Sequence, residues 1–462
     1  MENWSGKKVI VIGAARQGTA LSRYLASKGA QVILTDMHSL DELPPNLPDL
    51  EKLGIQLHLG GHPLELLEGA DLVCVSGGVP LTIPFIQAAM QRGIPLSNDS
   101  QIFLEACPAQ VIGITGSSGK TTTTALVGLM AQKYFEMKQN GHRAWVGGNI
   151  GNPLIEQVDQ IDEDDLVVLE LSSFQLELMT RSPQIAAILN ITPNHLDRHG
   201  SMQAYIAAKS RILRFQHPGD VAILNRDDPG SWSLAENLKS DLISFGFQKP
   251  DSKQNGTYIY KDAIWLQLGR ESLKMLPLEW IQLPGRHNIA NVLAACAIAT
   301  AASLALPAIQ TAIEEFTGIP HRLEFIRNIN GADWYNDSIA TAPERTMAAI
   351  EAFEGPLVLL LGGRDKNLPW DDLAQLIHQR VRAVVLFGEA AGLIEKALGA
   401  VKKGETLQVI SRCNTLEEAV QAAAKLAQPG DTVLLSPGCT SFDAFKDFEE
   451  RGEYFRKLVN AL

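Results

Sequence analysis

The run VIGITGSSGKTTTT, residues 111 to 124, sets an apolar strand before a glycine turn and places Lys120 and Thr121 at the start of a helical pattern. Amides of the turn Gly116, Ser117, Ser118 and Gly119, with those entering the helix as far as Thr122, can wrap phosphate oxygens. Lys120 can then reach β- and γ-phosphates, and Thr121 can hold magnesium. The pattern GxxxxGK[ST] is not met in full, because Ile114 stands where its first glycine belongs, whereas TGxxGKT is met. A chance glycine turn is the plain alternative. Further on, LVVLE ends an apolar strand on Glu170. An acid there projects from the carboxyl edge of a parallel sheet, where a phosphate-bound magnesium would sit if the two strands are neighbours; otherwise it is a solvated loop acid. NITPNHLDRHG then gathers His195, Asp197, Arg198 and His199 after another apolar strand, and Lys209 follows in the helical segment YIAAKSRI. Singly, each reads as a structural or surface residue.

A second turn, GAARQG at residues 13 to 18, is a relaxed GxGxxG in which Ala15 replaces the middle glycine. Gly13, Arg16 and Gly18 could frame a nucleotide diphosphate at a helix N-terminus. Asp36 ends the next strand at about the spacing that lets an acid contact a ribose, and Ser76, Gly77 and Gly78 end a later strand on what would be the same edge. Hydride transfer to a nicotinamide is the rival reading of this turn. Near the C-terminus, NDSIATAPE, GGRDKN and SPGCTSFDAFKDFEERG each follow a strand and could converge on one crevice, or be ordinary turns.

These turns need a scaffold. Apolar runs of four to eight residues, each ending near a glycine turn and followed by a helical pattern, recur along the chain: KKVIVIG, QVILTD, DLVCVSGG, AQVIGITG, DLVVLE, AAILNIT, DVAILN, PLVLLLGG, AVVLFG and DTVLLSPG. Such runs predict an α/β fold with mainly parallel sheets. The stretch from Val292 to Leu306 is predicted as a buried helix, too short to span a bilayer. With 462 residues, and breaks near Cys107 and at the proline of FTGIPHRLEF, three domains are expected, 1 to 107, 108 to 318 and 319 to 462. The balance of 40 basic and 52 acidic residues gives a net charge of -12. That charge argues against a broad nucleic-acid-binding surface. Five cysteines without CxxC spacing argue against a disulfide framework or zinc site, and no export signal is visible, so a cytoplasmic protein without membrane insertion is expected.

Taken in order, ITGSSGKTTT, GGNIGNP, LELSSFQLE, NITPNHLDRHGSMQAYIAAK, LPGRHNIANVLAA, GIPHRLE, NDSIAT and SPGCTSFDAFKDFEERG resemble the Mur ligase family over nearly the whole chain. The resemblance implies a Rossmann-like domain for a UDP-sugar, a central P-loop-type ATPase domain and a Rossmann-like C-terminal domain for an incoming amino acid. It implies an ATP-dependent amide ligase that adds glutamate, in the D form, to UDP-N-acetylmuramoyl-L-alanine through an acyl phosphate, in cytoplasmic peptidoglycan synthesis. The small-molecule substrates and a monomeric state belong to the same expectation.

By that resemblance Lys120 and the turn bind ATP, and Thr121 and Glu170 hold one magnesium ion. His195 holds a second with Lys209, which the family carbamylates; a carbamate converts the cation into an oxygen ligand. Asn149, Ser172 and Gln175 are implied as contacts to the muramoyl-alanine part, with Asn288 and Asn291 on the adenine or ribose. Arg322 and Asp337 are implied to reach ATP from the third domain, Arg322 on domain closure. Thr341, Lys366, Ser441, Phe442 and Phe448 match positions that hold the amino acid. Two departures stand out: Ile339 replaces a lysine frequent in the family, with Ala342 where an asparagine is usual, and Met37 and His38 follow Asp36 where threonine and arginine can occur. Rival readings are another ligase of the superfamily, such as a folylpolyglutamate synthase or the diaminopimelate-adding ligase, a non-catalytic nucleotide or muropeptide sensor, and a nicotinamide-dependent dehydrogenase.

Overall fold

The computed structural model describes residues 3–43, 47–149, 151, 153–194, 196–283, 285–366, 368–401 and 404–462. The chain forms two compact units, Met1–Phe316 and Thr317–Leu462.

The first unit holds two sheets. The strands β1 (Lys8–Ile12), β2 (Gln31–Asp36), β3 (Gln56–Leu59), β4 (Leu72–Val75) and β5 (Leu96–Ser97) are ordered β3-β2-β1-β4-β5, all parallel. Strand order reverses between β1 and β4, which opens a crevice at the carboxyl ends of those strands. Gly13 and Ser76, the residues that follow β1 and β4, stand at that crevice. The sheet is buried on both faces because apolar runs fill β1 and the centre of β2, and Val9–Ile12 and Val32–Leu34 are inaccessible or nearly so.

The second sheet has nine strands: β6 (Gln110–Thr115), β7 (Ala144–Gly148), β8 (Leu166–Glu170), β9 (Ile185–Ile188), β10 (Val221–Asn225), β11 (Asp241–Phe245), β12 (Asn255–Tyr260), β13 (Ala263–Leu268) and β14 (Glu271–Pro277). Their order is β14-β13-β12-β11-β10-β9-β6-β8-β7. Seven strands run parallel, while β13 and β14 fold back antiparallel as hairpins. The reversal at β12–β13 is a two-residue turn in which Lys261 and Asp262 both take positive φ, 46° and 53°, the twist that tight hairpins need. Helix Lys120–Lys138 leaves the glycine turn after β6 and packs on β7 and β8 and on helices Arg286–Ala301 and Leu306–Glu315. The predicted helix at residues 292 to 306 is real but ends at Ala301. The chain then turns through Ser303, with φ 56°, and Pro307 opens the next helix. Val292 to Ala299 are all buried, as the alanine-rich composition requires for close helix–sheet approach.

Hydrogen bonds of side-chain amides, largely buried, join the two sheets. The Asn98 side chain caps helix Asp99–Ala106 by accepting from the Gln101 amide at 2.8 Å and donates to the Gln175 carbonyl at 2.6 Å. The Thr180 amide donates to Gln101 at 2.8 Å. The surface pairs Arg23–Glu156 and Lys28–Asp159 add little by comparison.

The second unit is built on β15 (Glu324–Ile329), β16 (Ala332–Asn336), β17 (Leu357–Gly362), β18 (Val381–Phe387), β19 (Val409–Arg412) and β20 (Thr432–Gly438). Their order is β15-β16-β20-β17-β18-β19, with only β15 antiparallel. Because β20, last in sequence, inserts between β16 and β17, the turns after these three strands share one edge. No helix among the described residues is long and apolar enough to cross a membrane.

Candidate active site

The turn after β6 is held from below by its neighbours. The Ser117 amide donates to the Asn190 carbonyl at 3.0 Å, the Ser118 amide to the Asn190 side-chain oxygen at 2.8 Å, and the Asn190 amide group back to the Ser118 carbonyl at 3.2 Å. Ser117 Oγ donates to the Thr192 carbonyl at 2.9 Å and accepts from its amide at 3.0 Å. With that proton committed, the Tyr205 hydroxyl at 3.1 Å is the donor to Ser117. Gly119 has φ 78°, and a Cβ there would lie 2.3 Å from Asn291 Oδ1, so a side chain would close the turn against helix Arg286–Ala301. Gly113, by contrast, serves strand packing: its missing Cβ makes room for Pro183.

β8 pairs directly with β6, Ile114 opposite Glu170, so the acid stands one strand from the phosphate turn. Glu170 is 2% exposed. Its Oε1 accepts from Asn149 Nδ2 at 2.9 Å, and its Oε2 is buried and has no hydrogen-bond partner among the described residues. A bare, buried carboxylate oxygen is costly unless something binds it. A hard divalent cation with oxygen ligands suits it, together with the hydroxyl of Thr121 in the first turn of the adjacent helix. The residues present therefore fit magnesium. Gly148, φ 96°, lets β7 approach the Glu170 backbone, where a Cβ would meet Glu170 O at 2.3 Å, and this close approach sets Asn149 in place.

Lys120 Nζ donates to the carbonyls of Gly116 at 2.9 Å and Ser117 at 3.3 Å. Lys209 Nζ converges on the same Gly116 carbonyl at 2.9 Å and lies 4.7 Å from the Tyr205 ring centroid. Lys209 is 1% exposed. Burial, and then the Lys120 charge, push its ammonium down to about 7, with Glu170 opposing. A lysine at that value offers a neutral amine near neutral pH. Lys120, Glu170 and Lys209 thus gather around one turn, while His195 lies outside the described residues.

Two cavities of the first unit meet at Gln17, Gly78 and Asn149, and the smaller, lined by Lys120, adjoins this turn. One of about 310 Å³ is lined by Gly77, Lys120, Asn149, Ser172, Arg198 and Lys209, among others. The other, about 500 Å³, is lined by Gly13, Arg16, Asp36, His38, Ser76 and Asn149, among others. Asn149 borders both, so a long ligand can lie across the two sheets. Asp36 accepts from the amides of Ala14 at 2.7 Å and His38 at 2.9 Å and from the His38 ring at 2.8 Å. Burial raises its pKa, but those donors prevail and hold it below the usual carboxylate range. Its main employment is therefore to fix the β1 turn. Gln175 is 1% exposed and spans from Ser172, whose amide donates to it at 3.0 Å, to Ser100 Oγ at 2.9 Å; it completes the capping box of the helix that Ser172 caps. On the other side of the turn, Ser118, Gly119, Asn190 and Asn291 share a cavity of about 200 Å³ with His287. Asn291 donates to Asn288 at 3.2 Å.

In the second unit, Asp337 accepts from Ser436 Oγ at 2.9 Å and the Leu323 amide at 3.2 Å. Burial lifts its carboxyl to about 7, against the pull of Ser436, Leu323, Arg322 and Arg345. Lys366 Nζ donates to Thr341 Oγ1 at 3.4 Å. Ser441 is buried, with its carbonyl accepting from the Phe445 amide at 2.8 Å, and Phe442 is 60% exposed. The Phe448 carbonyl accepts from Ser338 Oγ at 2.8 Å. The Gly438 amide donates to Ala340 at 2.9 Å, and Arg364 and Thr440 exchange backbone bonds at 2.9 and 3.0 Å, which draws the three turns together.

Two residues that brace these loops were not singled out from the sequence. Asn190 locks the phosphate turn, and its only signal is an asparagine ending an apolar strand. Arg451 is fully buried. Its guanidinium donates to Ser338 Oγ at 3.0 Å, the Ser338 carbonyl at 2.9 Å and the carbonyls of Cys439 and Thr440 at 3.1 to 3.2 Å, welding the loops after β16 and β20. An arginine three residues after Phe448 and four before Phe455, on the apolar face of helix Phe448–Asn460, is its visible mark.

Because Asp337 is held at about 7 in the fold, against about 4 unfolded, the folded state binds more protons between those values, and stability falls as pH rises through that window. D337N is therefore expected to melt a few degrees above the parent at pH 8, with the gain shrinking toward pH 4. A melting curve series over pH checks this, and an unchanged pH slope in D337N would contradict it.

Comparison with known proteins agrees with this architecture. Residues 7–98 match the model described as Mur ligase MurD-like, N-terminal domain, residues 114–299 the Mur ligase middle domain, and residues 321–439 the Mur ligase, glutamate ligase domain. The UDP-N-acetylmuramoylalanine--D-glutamate ligase of Symbiobacterium thermophilum is 42% identical, over 99% of this chain and 98% of the relative. That of Pelotomaculum thermopropionicum is 40% identical, over 100% and 99%. Among solved structures, UDP-N-acetylmuramate-alanine ligase from Thermotoga maritima matches with TM-score 0.53 at 19% identity, over 98% of this chain and 99% of the other. MurF from Acinetobacter baumannii matches with TM-score 0.53 at 20% identity, over 100% and 91%. These two likenesses concern the fold. The chain belongs to the Mur ligase family, and it is an ATP-dependent ligase.

Proposed function

We propose that the chain joins the amino group of D-glutamate to the carboxylate of UDP-N-acetylmuramoyl-L-alanine, at the cost of ATP, in the cytoplasmic assembly of peptidoglycan precursors, acting as a monomer. The roughly 1 to 107 segment holds the UDP-sugar, 108 to 318 the ATP and 319 to 462 the amino acid. The observation that carries the reading is the bare Glu170 oxygen beside the phosphate turn, with Lys120 and Lys209 on one carbonyl and a cavity reaching from them to the first sheet.

A carboxylate resists attack by an amine because oxide is a poor leaving group. Transfer of the γ-phosphoryl group to a carboxylate oxygen releases ADP and gives an acyl phosphate. The glutamate amine then attacks its carbonyl carbon, phosphate leaves with the bonding pair, and the nitrogen loses a proton. Lys120 turns from the loop carbonyls to the β- and γ-phosphates, and the amides of residues 116 to 122 hold the remaining oxygens. Asn288 and Asn291 hold the nucleoside, and Arg322 and Asp337 approach ATP from the second unit. Glu170 and Thr121 hold one magnesium ion, and His195 with a carbamylated Lys209 a second. Magnesium, when bound, offsets the charge that builds on the transferring phosphoryl group. Asn149, Ser172 and Gln175 orient the muramoyl-alanine arm, Gln175 also holding Ser172 through its side-chain oxygen. Gly13, Arg16, Gly18, Asp36, Ser76 and Gly77 form the UDP end. Thr341, Lys366, Ser441, Phe442 and Phe448 hold the amino acid.

The test is phosphate release by the purified protein with ATP, magnesium and UDP-N-acetylmuramoyl-L-alanine. Release should require an acceptor and should favour D- over L-glutamate by at least about 100-fold in kcat/KM, the discrimination expected of a site that hydrogen-bonds its substrate. Equal use of both enantiomers, or preference for another acceptor, would overturn the assignment.

A further inference from the structure

In the Thr317–Leu462 unit most guanidinium groups are matched. Arg364 pairs with Glu389 at 2.9 Å, Arg412 with Glu395 at 3.4 Å, Arg456 with Glu324 at 2.6 Å, and Arg382 with Asp431. Arg451 is saturated by carbonyls and a hydroxyl. Arg345 is the exception of interest. It projects exposed from the first turn of helix Pro343–Glu351, and its Nη1 makes one long bond, 3.4 Å, to the Ile339 carbonyl. Among the described residues it has no carboxylate within ion-pair distance. Lys366 is in the same condition. It comes from the loop after β17, and its one bond is the 3.4 Å contact to Thr341.

Both cations therefore lean on the short segment Ile339–Thr341 from different elements, and among the described residues neither has a carboxylate within ion-pair distance. Their closeness has an electrostatic signature: burial first, and then the Arg345 charge, lower the Lys366 pKa, with Glu344 only partly opposing. Like charges drawn together at a loop edge, each with its donors largely unused, form a receptor for an anion. The guanidinium offers a planar fork suited to both oxygens of a carboxylate, and the ammonium a point charge beside it.

We infer that Arg345, together with Lys366, receives the side-chain carboxylate of the incoming amino acid and sets the preference for an acidic over a neutral acceptor. The inference rests on the proposed function and names the residue that does in this chain what Ile339 cannot.

The experiment compares R345M and R345K with the parent in steady-state kinetics, using D-glutamate and D-glutamine as acceptors and varying each substrate in turn. Losing a charge-assisted bond should raise the glutamate KM of R345M by about 10- to 100-fold. The glutamate-to-glutamine ratio of kcat/KM should fall by the same factor, while KM for ATP and for the UDP-sugar stays within about twofold. R345K should recover part of both. Since Arg345 is exposed, R345M should keep the parent melting temperature, which excludes a general loss of structure. An unchanged glutamate KM and ratio in an active R345M would overturn the inference, as would a rise confined to ATP, which would assign Arg345 to the nucleotide. A parent that is inert toward acidic acceptors would instead remove the reading on which the inference rests.

Discussion

K120A should lower acceptor-dependent phosphate release by at least about 10³-fold, the scale on which a single cation on a transferring phosphoryl group acts, while the protein stays folded. Lys120 is only part-buried, and two of its bonds are to the loop's own carbonyls at residues 116 and 117. Its removal leaves the turn braced by Asn190, Thr192 and Tyr205. Loss of turnover with an unchanged melting temperature and unchanged UDP-sugar binding would place Lys120 in the chemistry. A K120A protein within tenfold of the parent would remove the phosphate turn from the mechanism. K120R should not rescue, since a forked guanidinium is wider than the ammonium the turn accommodates.

K209M should have an effect of similar size on turnover, about 10²- to 10³-fold, and the opposite effect on stability. The folded-state pKa of Lys209 is about 7 against an ordinary 10.5. Between those values the unfolded chain binds more protons, so the parent's stability rises with pH across that window. The deficit is fully present below about 7 and gone above about 10.5. Methionine fills the same space without the charge, so K209M should melt above the parent at pH 6 in carbon-dioxide-free buffer, with the difference shrinking as pH rises. The neutral amine adds to carbon dioxide, forming a carbamate and releasing a proton. Bicarbonate should therefore raise the parent's activity at pH 8, more than at pH 6, and leave K209M unmoved. An activity indifferent to bicarbonate, with identical pH slopes for the two proteins, would leave Lys209 as a structural lysine and nothing more.

The parts of this site that local sequence determines were legible before any coordinates. The strand, glycine turn and helix at residues 110 to 138 are consecutive, and Gly119 must be glycine for reasons confined to a few neighbours. The ten apolar runs are all strands because burial on both faces leaves little alternative. Glu170 is a different case. Its placement beside the turn depends on β8 pairing with β6 while β7, earlier in the chain, goes to the sheet edge, and strand order is not written in either segment. The hairpins β12 to β14 escaped notice because their faces alternate and lie partly exposed, so no continuous apolar run marks them; the Lys261–Asp262 turn was the available signal. Asn190, Arg451 and Arg345 act through partners distant in sequence or across a loop, and a single chain read alone does not reveal such partners. Gln175 has a further role that its segment does not announce: its carboxamide links Ser172 to Ser100, a partner distant in sequence.

The central claim is that this site activates a carboxylate by moving a phosphoryl group onto it. UDP-N-acetylmuramoyl-L-alanine labelled with oxygen-18 in its carboxylate tests that claim most directly. Turnover with ATP and D-glutamate should deliver one labelled oxygen to each inorganic phosphate released, because the oxygen that accepts the phosphoryl group leaves with it. Phosphate that carries no label, alongside normal product formation, would contradict the account.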